Sequence, residues 1–538
     1  MKRAYHRFAM VTIALLTVFT TMGKPVDSLS SLPFDDIGNS YAKQEIIDLY
    51  NRKIITGTTE RSFSPAQSIS RAEFVAIIDR LLGLEPVTSP VSPFADVPKQ
   101  AWHYGWIQAA VQLGLADGTS ATAFAPSMPV TRQEAAVLLA RALKQAGSKA
   151  EASLAFGDSS QIASWASASV AAVHKLGLIK GDEQGDFRPT KPITRQETAV
   201  MIYRVLQNKT WEAELKAAPT ESIKLGWQYG QTTKEYQNNV LKSNVNTLSP
   251  RWYFTDALGN IVDNTDSSLL TWAKQHNKKV WAMVGNRSDQ AATHQMLSSS
   301  AARSNAVTKL VAYAKSYKLD GLNIDFENVA PQDRAALTAF MTELAKKLKL
   351  LSVTLSIDVS PDRGTDWTDA FDFAALGKLV DYVVLMGYDE HWGGSSEAGS
   401  NASLGFDKAA LDKLLKHVAG GKIILAVPLY NRDWDLNKDG SVASTEFISL
   451  TQQNALMAQF AIKPVWDAKI GQYTAAYLKN GVRHRMWLED GRSLTAKYKL
   501  VVDAELAGLA YWYVGGESAD IWSSMRNADR FLNYTFSS

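Results

Sequence analysis

Cysteine is absent from all 538 residues. That excludes disulfide staples and thiolate metal sites, so stability has to come from large apolar cores. Long low-complexity tracts are missing too, and 46% hydrophobic with 21% charged residues is the composition of a globular chain. The length is too great for one core and points to two to four domains. After the N-terminal stretch no apolar run is long enough to span a bilayer. Nor is there a basic excess. The formal charge is +3, and setting aside Lys2, Arg3 and Arg7 brings it to zero. A nucleic-acid partner is therefore unsupported, because phosphate binding calls for clustered positive charge. Those three residues, the apolar run from Phe8 to Phe19 and the small residues Thr21 and Gly23 read as an export signal over 1–23. Aromatic side chains, by contrast, are plentiful, with 15 Trp and 19 Tyr. Such rings serve cores and sugar sites alike.

The first two hundred residues repeat themselves. FDD at 34–36, FAD at 94–96 and FGD at 156–158 are followed in register by SFSP, AFAP and DFRP, then by SISRAEF, PVTRQEA and PITRQET. Each unit reads as helix, loop, helix. Ser70 with Glu73, Thr131 with Glu134 and Thr194 with Glu197 form capping boxes that open the second helices. In the second unit Trp102, Trp106, Ala109, Ala110 and Leu113 mark one apolar face of the first helix. Units this small cannot bury such faces alone and should pack together.

This pattern resembles the S-layer homology domain in three copies, at 30–88, 89–150 and 151–210. The resemblance implies non-covalent docking to the secondary cell-wall polysaccharide of Gram-positive bacteria, in grooves that take anionic sugars. Arg71, Arg132 and Arg195 match the domain's box arginine, and a guanidinium fork suits a ketal carboxylate. Trp102 and Trp165 belong to the same expected surface, with Tyr41 at the equivalent place in the first repeat. The alternative is that each arginine only ties helices together.

A polar stretch at 211–222 reads as a linker, and from 223 to 535 the texture changes. Eight short apolar runs, starting near residues 223, 245, 278, 319, 350, 380, 422 and 506, alternate with amphipathic helical segments. That alternation predicts a (β/α)8 barrel, an α/β fold behind an all-α front module, with functional groups at the C-terminal strand ends. Asp325, Glu327, Asp358, Tyr388, Asp389 and Tyr430 stand at such ends.

On the strand LDGLNIDFE, Leu322, Ile324 and Phe326 suit the helix layer, which turns Asn323, Asp325 and Glu327 inward. Two carboxyls and an amide in one file are costly unless they pair, solvate or act. A hydrogen-bonded plug, a metal site and a dead remnant compete with catalysis here; a metal would want more converging acids or histidines. Crowded carboxyls raise one another's pKa, as a general acid near neutral pH requires. Asp320 has the opposite parity and suits a structural hydrogen bond.

DGLNIDFE resembles the DxxDxDxE signature of family 18 glycoside hydrolases, with Asn323 for the middle Asp. MGYD at 386–389 and Trp512 match that family's sixth- and eighth-strand motifs. NIDFENVAPQDR is closer to the branch of spore cortex-lytic and related cell-wall enzymes, which moves the expected substrate from chitin to peptidoglycan. The resemblance implies a substrate-assisted retaining mechanism without a cofactor, an exception to the usual enzyme nucleophile. Glu327 would be acid and base, Asp325 would hold the acetamido N–H, Tyr388 the acetamido oxygen, and Trp512 would lie under the sugar. Asn323 would bond Asp325 without repelling it, so that Asp325 ionises the more easily. Met386, Asp389, Trp227 and Tyr430 are further substrate-binding candidates, and Trp252, Arg432 and Trp434 either line subsites or pack.

DLNKDGSVASTE offers Asp435, Asn437, Asp439, Gly440 and Glu446 at calcium-loop spacing, but without the flanking helix pair, and ordinary turn chemistry explains it equally. The reading is a secreted, wall-held glycosidase acting on N-acetylglucosamine-containing glycans. A chitinase and a non-catalytic carbohydrate-binding surface protein are the alternatives.

Overall fold

The computed structural model describes residues 32–145, 156–219 and 221–537; the export signal lies outside them. Each front repeat is a helix pair: Lys43–Asn51 with Arg71–Leu81, Tyr104–Gln112 with Arg132–Ala142, and Ser167–Lys175 with Arg195–Gln207. All three expected capping boxes form at the second helices. The recurrent aspartates explain the repeat's other signature. Asp36 accepts from the backbone N–H groups of Phe63 and Ser64, Asp96 from those of Phe124 and Ala125, and Asp158 from those of Phe187 and Arg188. Each thereby fixes a left-handed residue before the proline, with φ near +58° at Ser64, Ala125 and Arg188.

The three repeats close into a ring. Bridges join Ser68 to Thr194, Ser70 to Pro129 and Thr131 to Pro192. The box arginines complete the cycle: Arg71 pairs with Glu134 at 3.1 Å, Arg132 with Glu197 at 3.4 Å and Arg195 with Glu73 at 2.7 Å. Each guanidinium also donates to two backbone carbonyls of the next repeat, Phe124 and Asp117, Phe187 and Lys180, Phe63 and Thr56. All three arginines are buried. Removing the guanidinium leaves Glu73 without its ion pair and the Phe63 and Thr56 carbonyls without a donor, so Arg195→Ala is expected to cost about 3 kcal/mol. A lowered denaturant midpoint, followed by tryptophan fluorescence, checks this; an unchanged midpoint would show that the ring does not carry the module.

Trp102 departs from expectation. It precedes the helix Tyr104–Gln112 instead of joining its apolar face, and it is 58% exposed. The expected linker at 211–222 also differs. Lys209–Lys216 is a helix capped by Asn208, and Trp211 is buried, donating to the Ser537 carbonyl.

All eight expected barrel strands are present: Ile223–Gln228, Thr247–Thr255, Lys279–Gly285, Gly321–Asp325, Thr354–Val359, Tyr382–Met386, Ile423–Pro428 and Gly508–Trp512. Neighbours pair in parallel, and the first strand pairs with both the second and the eighth, closing a (β/α)8 TIM barrel. Side chains at strand starts lock the bottom of the barrel. Asn246, Asp320 and Asp381 accept from the backbone N–H groups of Lys224, Val280 and Leu355, the structural role expected of Asp320.

Between the seventh and eighth strands the chain builds a five-stranded antiparallel sheet from Tyr430–Leu436, Val442–Ser449, Val465–Asp467, Gln472–Lys479 and Val482–Leu488. Barrel and front module are joined by shared packing. Phe531, Tyr534 and Phe536 lie in the repeat core, and Arg526 holds Glu85 through two 2.8 Å hydrogen bonds. No helix among the described residues is long and apolar enough to cross a membrane.

Candidate active site

Alternation along the fourth strand sorts its residues as expected. Leu322, Ile324 and Phe326 join the core between strands and helices, while Asn323 and Asp325 are buried inside the barrel. Glu327 stands two residues past the strand end, half-buried at the mouth.

Asn323 does not bond Asp325; it ties the barrel interior together. Its Oδ1 accepts from Trp227 Nε1 at 2.9 Å and from Ser249 Oγ at 3.1 Å. Its Nδ2 donates to Ser356 Oγ at 3.0 Å and to Asp358 Oδ1 at 2.6 Å. An amide's donors and acceptor are thus all engaged. A carboxylate at this position would have no hydrogen to offer Ser356 or Asp358. Asp325 itself is buried. Burial and the neighbouring Glu327 push its carboxyl up to about 8. The neighbour that Asn323 does not supply comes from the fifth strand instead: Asp358, also raised, by burial and by Asp325.

Glu327 is raised by burial, against a weak opposing hydrogen bond from Ser288 Oγ at 3.4 Å. Its backbone is clamped by Asn286, which accepts from the Glu327 N–H at 3.0 Å and donates to its carbonyl at 2.7 Å. Three acids share one barrel mouth, so protons are retained well above the usual carboxylate range. The exposed Asp389 also raises Glu327, so replacing it by Asn removes a negative neighbour and should move the alkaline limb of kcat/KM to lower pH. A pH–rate profile that leaves that limb in place would argue against the coupling.

Tyr388 is buried, and its phenol is pushed far up by burial and by Tyr430, Asp325, Asp358 and Glu327. It therefore stays a hydroxyl donor. Met386 packs in the same inner cluster as Tyr388, Trp227 and Trp512. Trp512 is half-buried, 5.8 Å from Trp227 and 5.3 Å from Tyr229 between ring centroids.

Other candidates are placed differently from a sugar-lining role. Trp227 is 1% exposed and serves Asn323. Tyr430 is buried, and its hydroxyl donates to Asp389 at 2.7 Å. Trp252 and Trp434 are core residues. Asp389 itself is exposed at the rim, 3.6 Å from Arg432. Sequence reasoning missed Ser249, Ser356, Asn286 and Ser288; inward parity on the second and fifth strands would have found the first two.

The calcium-spaced residues do not form a loop around an ion. Asn437 to Ser441 make a hairpin turn, Asp439 accepts from Ser441, and Glu446 lies exposed in the second strand. Among the described residues the group whose ligand atoms converge closely enough for a metal is Asp433, Asp435 and His484. There His484 Nδ1 lies 2.9 Å from both carboxylates.

In the front module Trp165 is exposed like Trp102. Arg195 and Trp102 line one groove of about 300 Å³, and Arg132 with Lys180 and Arg188 lines another of about 420 Å³. Arg71 lines neither of these grooves.

A closed barrel whose mouth gathers three carboxyls beside a buried tyrosine and a half-buried tryptophan has the furniture of a glycosidase. The chain belongs to the glycosyl hydrolases family 18, whose profile matches residues 225–517. S-layer homology domains match at 33–75, 93–136 and 155–199 and indicate anchoring at a bacterial cell surface. It is 28% identical over 332 residues to the Bacillus subtilis uncharacterized glycosylase YvbX, covering 59% of this chain and 94% of that protein. With the Bacillus subtilis cortical fragment-lytic enzyme it shares 26% identity over 293 residues, 52% of this chain and 66% of the relative. The fold is that of a Chromobacterium violaceum chitinase, with TM-score 0.53 and 24% identity over 57% of this chain and 99% of the other.

Proposed function

We propose that this protein is a wall-held hydrolase that cleaves β-1,4 bonds at N-acetylglucosamine residues of peptidoglycan, with retention, the substrate's acetamido group serving as nucleophile. The observation that carries it is the placement of half-buried Glu327, its carboxyl raised by burial, two residues beyond buried Asp325 at the mouth of the barrel, with Tyr388 in the same interior.

Glu327 gives its proton to the glycosidic oxygen as the C1–O bond breaks. The acetamido oxygen attacks C1 and forms an oxazolinium ring. Asp325 accepts the acetamido N–H and offsets the positive charge that develops there. Tyr388 donates its hydroxyl to the acetamido oxygen, and Trp512 packs under the ring. The Glu327 carboxylate then takes a proton from water, which opens the ring at C1 and restores the acid.

Peptidoglycan is favoured over chitin by the S-layer homology repeats, which would hold the enzyme to cell-wall polysaccharide, and by the cortical fragment-lytic relative. Incubating the full chain with purified peptidoglycan and with chitin oligomers, then identifying the new reducing ends, tests this. N-acetylglucosamine ends from peptidoglycan support it. N-acetylmuramic acid ends would overturn the bond assignment, and activity on neither polymer would return the chain to a carbohydrate-binding role.

A further inference from the structure

Asp433 and Asp435 stand two apart on the strand Tyr430–Leu436, so both side chains belong to one face of the antiparallel insertion. The register of the sheet brings two more titratable groups to that face. Glu446 is the cross-strand partner of Asp433, and His484 is that of Asp435. Like charges directly opposite on antiparallel strands are destabilising, and burial sharpens the cost. Asp433 is only 1% exposed and His484 only 4%. No lysine or arginine relieves them. Among the described residues the ion pairs of Asp433 and Asp435 go to His484 alone. The guanidiniums next in sequence are engaged elsewhere, Arg432 with Asp389 and Arg483 with the carbonyls of Asn437 and Lys438.

Hydrogen bonds leave the cluster unfinished. Asp433 Oδ2 accepts from the Tyr477 hydroxyl at 2.5 Å, but Asp433 Oδ1 is buried without a partner. An orphaned carboxylate oxygen at that depth is costly. Nδ1 of His484 carries at most one hydrogen, yet it lies 2.9 Å from an oxygen of each aspartate. A cation among the three groups removes both difficulties. It uses the Nδ1 lone pair, needs no hydrogen there, and supplies the positive charge that the face lacks. Ligand atoms of Asp433, Asp435 and His484 converge to within 4.8 Å of one another. The supporting contacts are present too: Tyr477 orients Asp433, and Ser444 donates to Asp435 Oδ2 at 2.7 Å. Burial, the hydrogen bond to Asp433 and the nearby carboxylates all push the Tyr477 phenol up, so it keeps the proton it donates.

We propose that Asp433, Asp435 and His484 bind one divalent transition-metal ion, zinc being the best match to the donors, with water or Glu446 in the fourth position. One imidazole nitrogen with carboxylate oxygens is a zinc-type set, whereas calcium takes a larger shell of oxygens. The ion ties the strand Tyr430–Leu436 to the strand Val482–Leu488. The first of these also carries Tyr430 and Arg432 to Asp389 at the barrel rim. The site therefore braces the insertion where it borders the cleft, and takes no part in the chemistry.

The test strips the full chain with a chelator, then titrates it with zinc by calorimetry and with cobalt(II) by visible absorption. A single tight zinc should bind, and cobalt should develop the strong bands of a tetrahedral site. The thermal midpoint should rise with zinc concentration, because the ion binds the folded chain. Calcium should do none of this. Asp435→Asn removes a half-buried ligand and should weaken zinc binding by about 100-fold or more, beyond the loss expected when only a supporting hydrogen bond is removed. His484→Gln should do the same. Circular dichroism establishes that each variant is folded, and Asp435→Asn decides the matter if the buried histidine cannot be replaced. A wild-type chain that gives neither zinc heat nor cobalt bands overturns the inference and leaves His484 as an imidazolium shared by two carboxylates. Unweakened zinc binding in a folded Asp435→Asn overturns it as well, by placing the metal elsewhere. Every readout is made without glycan, so the outcome stands apart from the identity of the substrate.

Discussion

Replacing Glu327 with Gln should lower kcat on N-acetylglucosamine-containing glycan by about 10³-fold, as expected for loss of a positioned acid and base. Glu327 is the half-buried member of the three acids, at the mouth where a glycosidic oxygen can reach it. Its backbone is fixed by Asn286 on both sides. The amide keeps that clamp and the side-chain volume but has no proton to deliver. The fold, and binding to wall polysaccharide through the distant repeats, should be unchanged. Steady-state kinetics with a wall-binding assay decide the matter, and more than a few per cent of residual turnover would remove Glu327 from the role.

Asp325→Asn should cost about 10²-fold in kcat, comparable to losing one group aimed at developing charge, with little change in KM. Asp325 lies deeper, raised to about 8 by burial and by Glu327. In the proposed mechanism it acts as its carboxylate, and only as positive charge grows on the acetamido-derived ring, when an anion beside the N–H stabilises the transition state more than the bound substrate. Asn can accept a hydrogen bond but cannot offset that charge. Single-turnover measurements separate the chemical step from binding; an effect confined to KM would contradict the assignment. The sign of the pH effect follows from the same residues. Their folded pKa values lie above the unfolded ones, so the protonated cluster favours the folded state at low pH. For Asp325 that contribution is lost as pH rises through about 8, and Glu327, raised by burial, likewise gives up the proton it must donate as pH rises.

The barrel was legible because its strands are apolar runs with polar ends, and alternation around Ile324 placed Asn323 and Asp325 inside. What Asn323 bonds was not legible, because Trp227, Ser249, Ser356 and Asp358 reach it from three other strands whose register no local pattern encodes. The antiparallel insertion escaped for a different reason. Its first turn has the spacing of a calcium loop, and its strands are short and half-exposed around Asn480 and Gly481, an ordinary hairpin pair. In the repeats the capping boxes could be read from four residues each. The closure of Arg71, Arg132 and Arg195 onto the next repeat's glutamate depends on three-way packing, which one repeat cannot announce. Trp211 and Phe536 are similar: polar surroundings hid two side chains that join the front module to the barrel.

The central claim is that the acetamido group of the substrate, poised by Asp325 and Tyr388, attacks C1 after Glu327 protonates the leaving oxygen. The most direct measurement is time-resolved proton NMR of the sugar anomer first released from a β-linked glycan. Two displacements at C1 predict the β anomer first, followed by slow mutarotation. Initial release of the α anomer would mean a single displacement by water and would contradict the account.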